Sequence, residues 1–230
     1  MHAAAGDLSF LNPVRNRMNK ILGEKCKTYH FSSQHEQASA KLALKQADHI
    51  FVVIMAHGGS SYILGGEYIR RSTGETLAAQ NLLTREEISH FENKIIYCMS
   101  CNSNDLAQAA LDAGAIAFVG FDHIPFVHFD QDGNPIRNTI LTQHTQTLIA
   151  NATKATLENF LTGKSSLRDS IEFLKLWADY HALRFIREYT AVKQRKEIAA
   201  LFRQMRDGVK YHGETDVRFV IHSPLPINVN

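Results

Sequence analysis

Two short apolar runs constrain this chain more than any other feature. They are Ile50-Phe-Val-Val-Ile-Met-Ala56 and Ile95-Ile-Tyr-Cys-Met99. A half-exposed strand alternates apolar with polar residues. An uninterrupted, largely β-branched run of this length is the pattern of a strand covered on both faces, as in a parallel sheet. Each run stops at chemically distinctive residues, the first at His57-Gly58-Gly59 and the second at Ser100-Cys101-Asn102. A third run, Ala115–Gly120, behaves likewise and ends at Phe121-Asp122.

Helical patterns lie before and between these runs. Asn12 as N-cap and Pro13 at the first position predict a helix carrying Val14, Met18, Ile21 and Leu22, which Gly23 stops. Lys27–Phe31 is expected to be a strand. Ser33 and Glu36 form a capping-box signature for a helix running to about Gln46. A Gly-rich, hairpin-like stretch is expected from Ser60 to about Arg71. Asp105–Ala113 is expected to be helical and to stop at Gly114. This β-α-β-α-β order predicts an α/β fold with a mostly parallel central sheet and helices on both faces. Ligands bind such sheets at the carboxyl ends of the strands. His57, Cys101 and Asp122 each follow a strand end, so all three are expected on one rim.

The second half differs. Asp130-Gln-Asp-Gly-Asn-Pro135 is a strong turn signal. Beyond it, Asn138–Phe160 and Ser166 to about Arg206 are expected to be helical, the latter breaking into two helices. Val217–His222 is expected to be a final strand. The organisation is thus residues 1–135 as the α/β core and 136–230 as a helix-rich part packed on the same domain. The basic and aromatic run Tyr180–Arg206 suits a solvated helix face, with partner binding as the alternative.

Net charge is +2 with histidine neutral, which predicts neither a nucleic-acid binder nor a membrane-surface protein. No apolar run approaches the length of a membrane span, and the start lacks a secretory pattern, so a cytoplasmic location is expected. Three cysteines, Cys26, Cys98 and Cys101, make a poor disulfide framework and fit a reducing compartment. Histidines stand at no metal-ligand spacing, and neither metal nor cofactor is expected. The Gly-rich stretches lack the Gly-Lys-Ser/Thr of a phosphate loop.

One chemistry suits what remains. A cysteine peptidase needs a thiol, a base to deprotonate it, and donors for the oxyanion. Cys101 and His57 are the expected nucleophile and general base. Cys98, inside its strand, should face the core. The backbone N–H groups of Gly58 and Cys101 are the natural oxyanion donors. Asp122 is a tentative substrate-pocket carboxylate, with capping of its turn as the alternative.

The stretches FVVIMAHGGSS, LLTREEI and KIIYCMSCNSNDLAQAALDAGAIAFVGFD resemble the CHAT group of caspase-like peptidases, which belongs with caspases, metacaspases, separase and clostripain. The resemblance covers about Ile50 to Asp122, roughly a third of the chain. It lies in the ordered set of a strand ending in His-Gly, a strand leading to Cys, and the helix Leu106-Ala-Gln-Ala-Ala-Leu-Asp-Ala-Gly-Ala115. It implies a caspase-like fold and an endopeptidase with His57 as base and Cys101 as nucleophile, acting on a protein substrate. It also implies a setting in bacterial defence or programmed death. Many CHAT proteins carry repeat or sensor domains and this sequence shows no obvious one, so any regulatory or sensor protein is expected to be a separate chain. Relatives that cleave after basic residues often carry Asp two positions before the nucleophile, where this chain has Met99. The alternative is a catalytically inactive caspase-like scaffold that binds proteins without cutting them.

Overall fold

A computed structural model describes residues 6–29, 34–45, 50–65, 68–69, 76–77, 80–124, 128–129, 135–136, 139–192 and 195–219. The helices are α1 Asn12–Leu22, α2 Gln34–Lys45, α3 Ala107–Asp112, α4 Thr139–Leu161, α5 Leu167–Glu188 and α6 Arg195–Gly208. The strands are β1 Phe51–Met55, β2 Gly58–Gly59, β3 Tyr62–Leu64, β4 Tyr68–Ile69, β5 Thr76–Leu77 and β6 Asn81–Thr84. They continue with β7 Ile95–Met99, β8 Ala117–Phe121, β9 His128–Phe129, β10 Pro135–Ile136 and β11 Val209–Gly213.

The central sheet has the order β1-β7-β8-β11. The first three strands run parallel, and β11 closes the edge antiparallel to β8. All five residues of β7 and of β8 are buried, as their unbroken apolar runs require. Alternate side chains leave the sheet on opposite faces. On one face Phe51 meets Phe160 of α4 edge-on at 5.0 Å, and Thr153 of α4 donates to the Met99 sulfur at 3.8 Å. On the other, Phe118 packs on Phe91 of the 3₁₀ segment Arg85–Phe91 at 6.5 Å. The chain is therefore a mixed α/β protein with a mostly parallel sheet and helices on both sides. One core cluster runs from Leu8 to Val217, so the helices of the second half share it with the parallel strands.

Several local expectations need correction. Lys27–Tyr29 form no strand, and residues 30–31 of that run, like Ser33 of the expected capping box, lie outside the described residues. Val217–Phe219 form no strand either, and residues 220–222 lie outside the described ones. The last strand is instead Val209–Gly213, which starts where α6 ends. Its alternation is weak because it is an edge strand, with Lys210 and Gly213 exposed. Leu11 rather than Asn12 precedes α1, and no side chain caps that end. A 3₁₀ turn, Gly6–Leu11, runs straight into the helix. The capping box that the structure does contain is Thr84-Arg-Glu-Glu87, where the Thr84 N–H donates to Glu87 Oε2 at 3.0 Å.

Candidate active site

His57 and Cys101 leave the sheet from neighbouring strands. β1 pairs with β7 in the register Phe51↔Ile95 through Met55↔Met99. The Ala56 N–H extends the ladder by donating to the Met99 carbonyl at 3.3 Å. The paired register ends at Met55↔Met99, so His57 and Cys101 each stand two residues past it on neighbouring strands. Adjacent strands lie about 4.8 Å apart, so the two backbones start within side-chain reach of each other.

The chain then turns differently on the two sides. After His57 it enters the hairpin β2–β3, where the Leu64 N–H donates to the His57 carbonyl at 2.8 Å. That makes His57 and Leu64 a hydrogen-bonded pair. Gly58, opposite Ile63, is then a non-hydrogen-bonded position whose N–H points out of the hairpin. A Cβ on Gly58 would lie 2.1 Å from Ser100 Oγ and 3.0 Å from the Tyr62 carbonyl. Only a glycine lets the His-Gly segment lie this close to Ser100.

After Met99 the chain makes a sharp elbow. Asn102 has a left-handed backbone, with φ of 57°, an uncommon conformation outside glycine that asparagine tolerates best. Its N–H donates to the Asp122 carbonyl at 2.7 Å. Ser103 then fills the gap where β7 and β8 diverge. Its hydroxyl donates to the Cys98 carbonyl at 2.9 Å and accepts from the Phe121 N–H at 3.0 Å, in place of a ladder bond. Asn104 continues the tie. Its amide donates to Asp122 Oδ1 and, at 2.7 Å, to the Gly208 carbonyl, while His212 Nε2 lies 3.4 Å from its oxygen. Asn104 fits there because Gly120 is bare: a Cβ would come within 2.6 Å of Asn104 Oδ1. The sequence singled out none of Ser103, Asn104, Lys210 or His212. The signal available was the run Asn102-Ser-Asn-Asp105, rich in residues that bond nearby backbone. The expected helix here is a 3₁₀ turn, Ser103–Leu106, leading into the short α3.

The two cysteines of the C-x-x-C differ. Cys98 is fully buried, and burial pushes its thiol up to about 12. Cys101 is partly exposed. Burial raises its thiol as well, and its sulfur lies 3.8 Å from the Ile124 carbonyl. At neutral pH both are therefore thiols, and Cys101 needs a base to become nucleophilic. Met99 is buried in the core against α4 and offers the rim no polar group. Ser100 Oγ is buried and lacks a hydrogen-bond partner.

Both oxygens of Asp122 have partners: Asn104 on Oδ1 and Lys210 on Oδ2 at 2.9 Å. Desolvation pulls its carboxyl upward, but the hydrogen bonds from Asn104 and Lys210 and the charges of Lys210 and His212 outweigh this and hold it below its usual range. Asp122 also lines an open cleft of about 560 Å³ with His123, Gln204, Asp207 and Gly208. Among the described residues no group of three or more His, Cys, Asp or Glu converges to hold a metal, and no helix is long and apolar enough to cross a membrane. No protein-family model and no curated protein sequence matches this chain.

Proposed function

We propose that this chain is a caspase-like cysteine endopeptidase of CHAT type that cuts a specific protein. What supports the proposal is the pairing of β1 with β7, which leaves His57 and Cys101 each two residues past the ends of neighbouring parallel strands, with Gly58 packed on Ser100. In the proposed reaction His57 takes the proton from the Cys101 thiol as the sulfur attacks the scissile carbonyl carbon. The N–H groups of Gly58 and Cys101 receive the oxyanion. The intermediate collapses, the C–N bond breaks, and His57 passes its proton to the departing amine. Water, deprotonated by His57, then cleaves the thioester and returns the thiol. The free thiols Cys26, Cys98 and Cys101 support a reducing compartment, and we propose the cytoplasm. No nucleic-acid or membrane partner is proposed. A defence role follows from the family resemblance alone.

A second reading, an inactive protein-binding scaffold, is favoured by the approach of the Cys101 sulfur to the Ile124 carbonyl, a resting contact rather than a poised one. One experiment separates the two. New protein N-termini are mapped in cells making the wild type, Cys101→Ala or His57→Ala. The peptidase reading expects cuts in one or a few proteins with the wild type alone. Profiles identical in all three overturn it.

A further inference from the structure

We infer that α5 is the self-association surface of this protein, pairing antiparallel with α5 of a second copy. Helix α5 is apolar on two sides. Its inner side, including Ile171, Leu174, Ala178, Ala182 and Phe185, is buried, and Phe185 stacks on Phe202 of α6 at 5.8 Å. Its outer side carries Phe173, Leu176, Tyr180 and Leu183, which are 40%, 70%, 56% and 46% exposed. These are four of the six exposed large hydrophobic side chains among the described residues, so the stripe is not the ordinary scatter of a surface. Their spacing of three, four and three residues sets them along one line of the helix. A helix apolar on both sides is one that is covered on both.

The charges flanking the stripe say what covers it. Asp169 and Glu172 lie at its N-terminal end, Arg184 and Arg187 at its C-terminal end. The arrangement is palindromic about the level of Ala178. In an antiparallel pair with a two-fold axis at that level, Asp169 faces the partner's Arg187. Phe173 faces the partner's Leu183, and Leu176 faces the partner's Tyr180. A parallel pair would instead set Asp169 against Asp169 and Arg187 against Arg187. An isologous contact of this kind is the commonest oligomer symmetry.

Within the single chain Lys175 already pairs with Glu172 at 2.8 Å and Arg184 with Glu188 at 2.8 Å, while the Arg184 guanidinium lies 5.6 Å from the Tyr180 ring centroid. Glu172 and Arg184 are therefore partnered within one copy, and the charge contact between copies falls to Asp169 and Arg187. They set orientation, since exposed ion pairs add little affinity, while the four apolar side chains supply the attraction. From Asp169 to Arg187 the stripe is about 27 Å long at 1.5 Å per residue.

The test uses the full chain, with mass measured by light scattering across micromolar concentrations. The wild type is expected at twice the chain mass of 25.9 kDa. Leu176→Glu is expected to be a monomer with an unchanged far-ultraviolet spectrum, because the side chain it replaces faces solvent within one copy. Asp169→Arg alone and Arg187→Asp alone should each weaken association about tenfold, because two symmetric pairs turn repulsive. The double variant Asp169→Arg/Arg187→Asp should recover wild-type association. A monomeric wild type, whether its stripe is bare or covered by another protein, overturns the inference. So does a dimer that Leu176→Glu leaves intact, or a double variant no better than the singles.

Discussion

The two sides of the candidate site are held by different means. On the His57 side the chain leaves β1 and folds at once into the β2–β3 hairpin. The support there is backbone: a ladder bond at His57 and a glycine pressed on Ser100. On the Cys101 side the support is side chain. The Ser103 hydroxyl joins β7 to β8, and Asn104 joins the elbow to Asp122 and to the junction of α6 with β11. A base can turn to meet a substrate. In the proposed reaction the Cys101 N–H also serves the oxyanion, which leaves that side less freedom, because donor and sulfur must stay in register. Polar ties from distant strands restrain that elbow without occupying its open side.

Gly58→Ala should break the comparison most strongly. The new methyl meets Ser100 Oγ and the Tyr62 carbonyl, so the His-Gly segment must move away from the elbow. Labelling of Cys101 by a peptidyl ketone electrophile, which needs both base and oxyanion donors, should fall roughly a hundredfold, in line with the loss of one such donor. Labelling by iodoacetamide, which needs only the thiol, should change little. Adding Ser100→Ala removes the closer of the two clashes and should restore part of the loss. Equal loss with both reagents would show that the effect is unfolding rather than displacement.

Asn104→Ala tests the other side with a smaller expected effect. It removes a partner from Asp122 Oδ1 and from the Gly208 carbonyl. A lost hydrogen bond of this kind costs about 1–3 kcal/mol, which should appear both as lower thermal stability and as roughly tenfold slower ketone labelling. Asn104→Asp, which keeps the shape but sets a second carboxylate against Asp122, should recover neither. Full ketone reactivity in a destabilised Asn104→Ala would separate the elbow's stability from its function.

Asp122→Asn should have the smallest effect. The carboxylate is about half exposed and already paired with Lys210, so its removal should cost no more than about 1 kcal/mol near neutral pH. The sign of its pH dependence follows from the depressed carboxyl. The contribution is present above the ordinary Asp value of about 3.9 and is lost as pH falls through the lower folded value. The stability gap between variant and wild type should therefore close in acid. Because both oxygens have partners, cleavage after Arg or Lys should be no weaker in the variant. A tenfold fall in that cleavage would instead give Asp122 a direct contact with substrate.

The chain's own order of residues determined the parallel strands and the places where His57, Cys101 and Asp122 leave them. A strand buried on both faces must be apolar at every position, so β1 and β7 are readable from a few consecutive letters. The tertiary structure decided what those letters do not carry. Val209–Gly213 has one half-wet face, follows Gly208 and ends in a glycine, so it carries no strand signal until β8 offers it an edge. Asn104 and Lys210 are ordinary polar residues in sequence, and each gains a role only from a partner far along the chain. Apolar burial is written locally, in runs and periods. The pairing of polar groups depends on which distant segments the fold brings together, and that is settled only once the core has closed.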